Sequence, residues 1–125
     1  MYNISIDRTR HLMMVAVSGF WTEDTFKAYA NEAARRSDEL SRSGGFKSLL
    51  IDMSEFPLQA KAIADLHGEL LLTAQQRYGV AAAVVMRSAL SRLQAARVAK
   101  LTGNDLFDDV GGALAALMQR AATRS

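Results

Sequence analysis

The stretch SLLIDMSEFPLQAKAIADL, residues 48–66, reads as a buried strand that halts at a proline and gives way to a helix. The apolar run spans residues 46–53, and Pro57 cannot continue a ladder because it has no backbone N–H. From Leu58 onward Ile63, Leu66, Leu70 and Ala74 recur at helical spacing until Gly79 ends the pattern. A strand running straight into a helix is one half of a βα unit. In open α/β sheets ligands bind where such strands end. Yet residues 55–72 contain no Ser, Thr or Cys, so this junction offers neither a nucleophile nor a phosphate acceptor.

Working outward, residues 2–7 alternate, with Tyr2, Ile4 and Ile6 on one face and Asn3, Ser5 and Asp7 on the other. That is the pattern of a half-buried edge strand. A short polar turn at residues 8–10 leads to residues 12–17, apolar at every position and expected to be covered on both faces. The connection is too short for a crossover, so the two strands are expected to pair antiparallel. Thr22 is placed to cap a helix that opens with Glu23 and Asp24 and stops at Ser43-Gly44-Gly45. Downstream of the opening stretch, residues 80–86 predict a further apolar strand. Ser88 or Ser91 is expected to cap a helix through Leu101 that closes at Thr102-Gly103. An extended piece at residues 105–107 and a helix at residues 110–122 complete the chain. The fold class is α/β: a mixed sheet with an N-terminal antiparallel hairpin, then βα units, and four helices in a single domain over residues 1–125.

The totals narrow the function classes. A chain of 125 residues is long enough for a proper core, and with half its residues hydrophobic and 22% charged it is not a disordered segment. Fifteen Lys and Arg against thirteen Asp and Glu are dispersed along the chain, whereas a nucleic-acid binder needs a dense basic face. The uncharged apolar run at residues 79–86 is far too short to span a bilayer. The N-terminus lacks a cationic start followed by an apolar stretch, so no signal peptide is expected. With no Cys there is no thiol chemistry, and the expected location is the cytoplasm.

Two segments carry a resemblance. SLLIDMSEF (residues 48–56) is similar to the third strand of the STAS family, which has the SpoIIAA-like fold of anti-sigma-factor antagonists and sulfate-transporter C-terminal domains. VVMRSALSRLQAARVAKLTGNDLFDDVGGALAAL (residues 84–117) resembles the C-terminal half of that family. There a strand ends at a Ser-capped helix, a Thr-Gly break precedes a short strand with Phe, and an Asp-rich turn opens the last helix. The resemblance covers nearly the whole chain. It implies the SpoIIAA-like fold and a regulatory module that works by docking. In phosphorylated members a Ser or Thr at the start of the second helix takes the phosphate and changes the charge of the docking surface. The matching stretch here, residues 58–62, carries no hydroxyl, and Lys61 reverses the local charge. The resemblance therefore implies the fold without its phospho-switch.

Candidate site residues cluster at the expected strand ends. Asp52 and Ser54 are candidate ligand contacts, although these residue types favour local turns whatever the function, and that reading stands ahead. Phe20, Trp21 and Phe56, with Arg87 and Ser88 after the next strand, form a candidate amphipathic pocket or protein-binding patch. The competing reading is that the aromatics staple helix starts to the core. Trp21 is large enough to stay partly exposed at an interface. Arg87, Arg92, Arg97 and Lys100 form no single stripe and read as a solvated face. His11 and His67 each stand apart from any second His or Cys, so no metal site is expected. No Gly-rich phosphate loop or Gly-x-Ser-x-Gly elbow is present. The expectation is a non-enzymatic module with no cofactor that docks a protein partner near the second helix. The alternative is a domain that takes a small apolar ligand or lipid in the strand-end crevice. Either leaves a homodimer open.

Overall fold

A connection of a few residues can join two strands only as a hairpin, and the chain opens this way. The computed structural model describes residues 1–99 and 105–123. Tyr2–Asp7 (β1) pairs antiparallel with Leu12–Ser18 (β2), from Tyr2 opposite Val17 to Asp7 opposite Leu12. The turn closes as Asp7 Oδ1 accepts from Arg10 N at 3.1 Å, with His11 in the left-handed region at φ 55°. The carbonyl of His11 then accepts from both Lys47 N and Ser48 N, tying the turn to the entry of the next strand.

The remaining elements are Glu23–Arg42 (α1), Ser48–Glu55 (β3), Lys61–Tyr78 (α2), Ala81–Val85 (β4), Ala89–Ala99 (α3), Leu106–Phe107 (β5) and Val110–Thr123 (α4). The sheet runs β1-β2-β3-β4-β5 in chain order, and every pairing after the first is parallel. This is the mixed sheet, N-terminal hairpin and set of four helices that the sequence predicts. The expected end of the third helix at Leu101 and its Thr102-Gly103 stop lie outside the described residues.

Strand parity sorts the core into two layers. In β3, Leu49 and Ile51 join Met13, Val15 and Val84 on the face covered by α1 and α2, while Leu50 points the other way. On that second face Leu50, Ala83 and Val85 meet Ala113 and Leu117 of α4. Strands buried on both faces read as continuous apolar runs, which is why β3 and β4 do. The same expectation for β2 is corrected. Ala16 is exposed and Met14 half-buried: on this second face Leu12 packs into the α4 cluster, but α4 lies against β3, β4 and β5 and does not reach Ala16.

Helix α1 begins as expected: Thr22 Oγ1 accepts from Thr25 N at 3.2 Å. Its C-terminus closes through Gly45 N donating to Leu40 O, with Gly44 at φ 142° and Gly45 at φ 123°, where other residues are strained. The expected bounds shift: β3 runs Ser48–Glu55 rather than over residues 46–53, and α2 starts at Lys61 rather than Leu58. Residues 57–60 stay non-helical, and in them the side chain of Gln59 reaches back to the loop before α1.

Candidate functional site

The carboxyl ends of β2, β3 and β4 all open toward one end of the molecule, and three connections leave there. Gln59, itself buried, stitches them together. Its Oε1 accepts from Trp21 N at 2.9 Å, and its Nε2 donates to Gly19 O at 3.0 Å and Pro57 O at 2.8 Å. Its backbone oxygen accepts from Gln94 Nε2 of α3 at 3.2 Å. A single residue, through its side-chain amide and its backbone carbonyl, thus holds the β2–α1 loop, the β3–α2 loop and α3 in register.

Below this staple lies an apolar crevice. Its floor is Ile51 and Val84 of the sheet, one wall is Ala64, Gly68 and Leu71 of α2, and Phe56 and Gln94 stand nearer the loops. It leaves a cavity of about 50 Å³. A second cavity of about 80 Å³ lies between α1, α2 and β3, with Tyr29 and Tyr78 in its wall. Ile51, His67 and Leu71 line both.

His67 is 9% exposed and enclosed by aromatic rings. The centroids of Trp21, Phe26, Phe56 and Tyr29 lie 4.8, 5.0, 5.1 and 5.5 Å from its own. Its Nε2 is buried and has no hydrogen-bond partner. Removal from water disfavours the imidazolium and pushes its pKa down to about 4. The ring is therefore neutral at physiological pH and offers hydrogen bonding without charge. Burial also raises the Tyr29 hydroxyl beyond the ordinary phenol range. Among the described residues no three His, Cys, Asp or Glu side chains converge as a metal-binding group.

The residues singled out in the sequence do not form one site. Phe56 is half-buried and lines the crevice, with its ring edge-on to Trp21 at 5.4 Å. Trp21 itself is only 2% exposed. Its Nε1 donates to Ser18 O at 2.9 Å and its ring packs on Tyr2, Tyr29 and His67, so it is a core residue rather than an interface anchor. Its neighbour Phe20 points to solvent. Asp52 and Ser54 fall on the opposite face of the sheet, because they alternate with Ile51 and Met53 along β3. Asp52 Oδ1 accepts from Ser54 N at 3.0 Å, and both border a shallow depression with Asn3, Ala16 and Glu55. The turn reading of this pair matches that bond.

Lys61 is exposed and paired with Asp65 at 2.8 Å, one helical turn on, and this bond raises its pKa. Ser88 Oγ accepts from Ser91 N at 3.3 Å at the start of α3, and Arg87 beside it is exposed. Arg92 departs from the solvated face expected of it. Its Nε donates to Met86 O at 3.0 Å and its guanidinium pairs with Asp108, pinning α3 to the end of β4. The side chains of Arg97 and Lys100 lie outside the described residues.

Sequence reasoning weighed His67 only as a metal ligand and did not single out Gln59. The first left a trace: Ile63, His67 and Leu71 are spaced by four and share one face of α2, which places an imidazole within an apolar stripe. Gln59 left none, since its partners Gly19 and Trp21 are remote in sequence.

Fold and crevice together define an α/β domain with a five-stranded mixed sheet and a largely apolar recess at its parallel-strand ends, with no charged side chain in its lining among the described residues. Among the described residues, no helix is long and apolar enough to cross a membrane. No protein-family model matches the chain, and no curated protein matches it at a significant level.

Proposed function

We propose that this chain is a non-enzymatic interaction module of the SpoIIAA-like (STAS) type, acting in the cytoplasm without a phospho-switch and docking a protein partner at the parallel-strand ends. The carrying observation is the distribution of exposed apolar side chains. Phe20, Leu58, Leu90 and Leu93 are each between 49% and 69% exposed, and all four sit on the three segments that Gln59 joins. Large apolar side chains gathered at one end suit a partner that presents an apolar face of its own. The strand order following chain order, with a helix between successive parallel strands, also suits the SpoIIAA-like reading.

The test is a pull-down from host extract with the unmodified chain, with Phe20→Asp/Leu90→Asp, and with Lys61→Glu. A protein retained by the unmodified chain and lost from the apolar-rim variant supports docking there. Equal retention by all three, or none by any, sinks it. Size-exclusion chromatography of the same proteins reads out whether the partner is a second copy.

A second reading has its own observation. The crevice beneath the rim is largely apolar, as expected of a domain that holds a small apolar molecule. Native mass spectrometry of protein purified from its host, with a co-purifying mass as the expected result, separates this reading from docking alone.

A further inference from the structure

We propose that the partner of the apolar rim is a second copy of this chain, and that the two copies meet rim to rim about a two-fold axis that passes by Leu58 and runs perpendicular to the sheet. The inference rests on the docking reading above and names its partner.

Strand order sets the geometry. β3 lies between β2 and β4. The loop after β2 with Phe20, the loop after β3 with Leu58, and the start of α3 with Leu90 and Leu93 therefore follow one another along one end of the sheet. Phe20 stands to one side of Leu58 and Leu90 to the other, each offset by one strand spacing of about 4.8 Å. A two-fold contact needs a patch that fits itself, with each residue meeting its image across the axis. About an axis at Leu58, that side chain meets its own copy, and Phe20 of each chain meets Leu90 and Leu93 of the other. The exposed apolar side chains of both rims are covered together.

The charges choose the direction of the axis. Glu23 and Asp24 are exposed at the start of α1, and Glu55 is exposed beside Ser18, so all three lie on the Phe20 flank. On the other flank Arg87 is exposed after the end of β4. The remaining cations nearby are spoken for, Lys61 by Asp65 and Arg92 by Asp108. An axis perpendicular to the sheet exchanges the flanks and brings Arg87 of each chain to Glu23, Asp24 and Glu55 of the other. An axis in the sheet plane, across the strands, keeps each flank opposite itself and sets carboxylates against carboxylates. Facing like charges are unfavourable, which selects the first arrangement. The patch is small for a stable dimer and part of its attraction is electrostatic, so the association is reversible and salt-sensitive.

Sedimentation velocity of the full chain, from low to high micromolar concentration, reads the association. The expected result is a monomer–dimer equilibrium that shifts toward monomer as salt is raised. Leu90→Asp is expected to weaken it by about tenfold or more. The decisive arm uses two charge-reversed chains, Arg87→Glu and Glu23→Lys/Asp24→Lys/Glu55→Lys. Each alone sets like charges across both flanks and is expected to stay monomeric. Mixed in equal amounts the two match at both flanks, and the dimer is expected to return. Every substituted position is exposed, and circular dichroism checks that each chain is folded. An unmodified chain that stays monomeric at every concentration overturns the inference, while docking of a different protein is still decided by retention in the pull-down. A dimer indifferent to Leu90→Asp forms elsewhere and overturns it too. Failure of the mixture to associate where the unmodified chain does overturns the pairing of Arg87 with the acidic flank, and the proposed axis with it.

Discussion

Acidification provides a direct test of where His67 sits. An imidazole has a pKa of 6.5 in the unfolded chain and about 4 in the fold, because the charged form is excluded from the aromatic cluster. Below pH 6.5 the unfolded chain therefore takes up a proton that the folded chain refuses, and stability falls. The contribution is present in full above pH 6.5 and is lost progressively as pH drops toward 4. Each pH unit across that interval is worth about 1.4 kcal/mol, which gives about 3 kcal/mol in all and about 2 kcal/mol by pH 5. Against a typical domain stability of about 5–15 kcal/mol, that loss is easily measured. Urea unfolding followed by Trp21 emission at a series of pH values gives the curve, and His67→Phe gives the reference. Asp38, whose pKa is lowered from 3.8 mainly by the Tyr78 hydroxyl, loses its contribution only as pH falls below that ordinary value, outside this window and in both proteins alike. The unmodified chain should therefore lose about 3 kcal/mol relative to His67→Phe between pH 6.5 and 4. Parallel curves across that interval would mean that His67 charges freely in the fold, and the enclosed imidazole would have to be abandoned.

Gln59→Leu leaves Trp21 N–H without its acceptor inside the core, and urea unfolding should show a loss of about 1–3 kcal/mol; a change below about 0.5 kcal/mol would show the staple to be idle. Leu117→Ala empties a fully buried position between α4 and the sheet, so the same assay should read a loss of about 2–5 kcal/mol. Lys61→Ala removes an exposed ion pair one helical turn apart and should leave stability within about 0.5 kcal/mol. Phosphopeptide mapping after incubation with an anti-sigma-type kinase should find no phosphate in residues 55–72, where no Ser or Thr exists. Stoichiometric phosphate on Ser54 would place the switch at the end of β3 instead.

Much of the fold could be read locally because its signals are local. Period-two alternation marked β1, the unbroken apolar runs marked β3 and β4, and Thr22 with Glu23 and Asp24 marked the start of α1. The candidate site was read less well for a matching reason. Phe20, Trp21, Asp52, Ser54 and Phe56 were grouped by their nearness to strand ends, and that nearness does not specify a direction. Along β3 the alternation that buries Ile51 sends Asp52 to the far face. One residue separates Phe20 in solvent from Trp21 in the core.

The sequence by itself determined the order and kind of the elements, the hairpin, the parallel pairing implied by strands alternating with helices, and the missing phosphate acceptor. Each of these depends on spacing within a window of a few residues, or on composition. Only the tertiary structure decided which helices cover which face, and so that α4 leaves Ala16 in solvent. It alone brought Gln59 to Gly19 and Trp21, and it alone closed four rings around His67. Those contacts join segments far apart in the chain, and their geometry is set by sheet register and by the packing of α1 and α2 over it. No local pattern encodes a distance between two helices. The environment that strips His67 of its charge therefore exists only once the layers have closed on it.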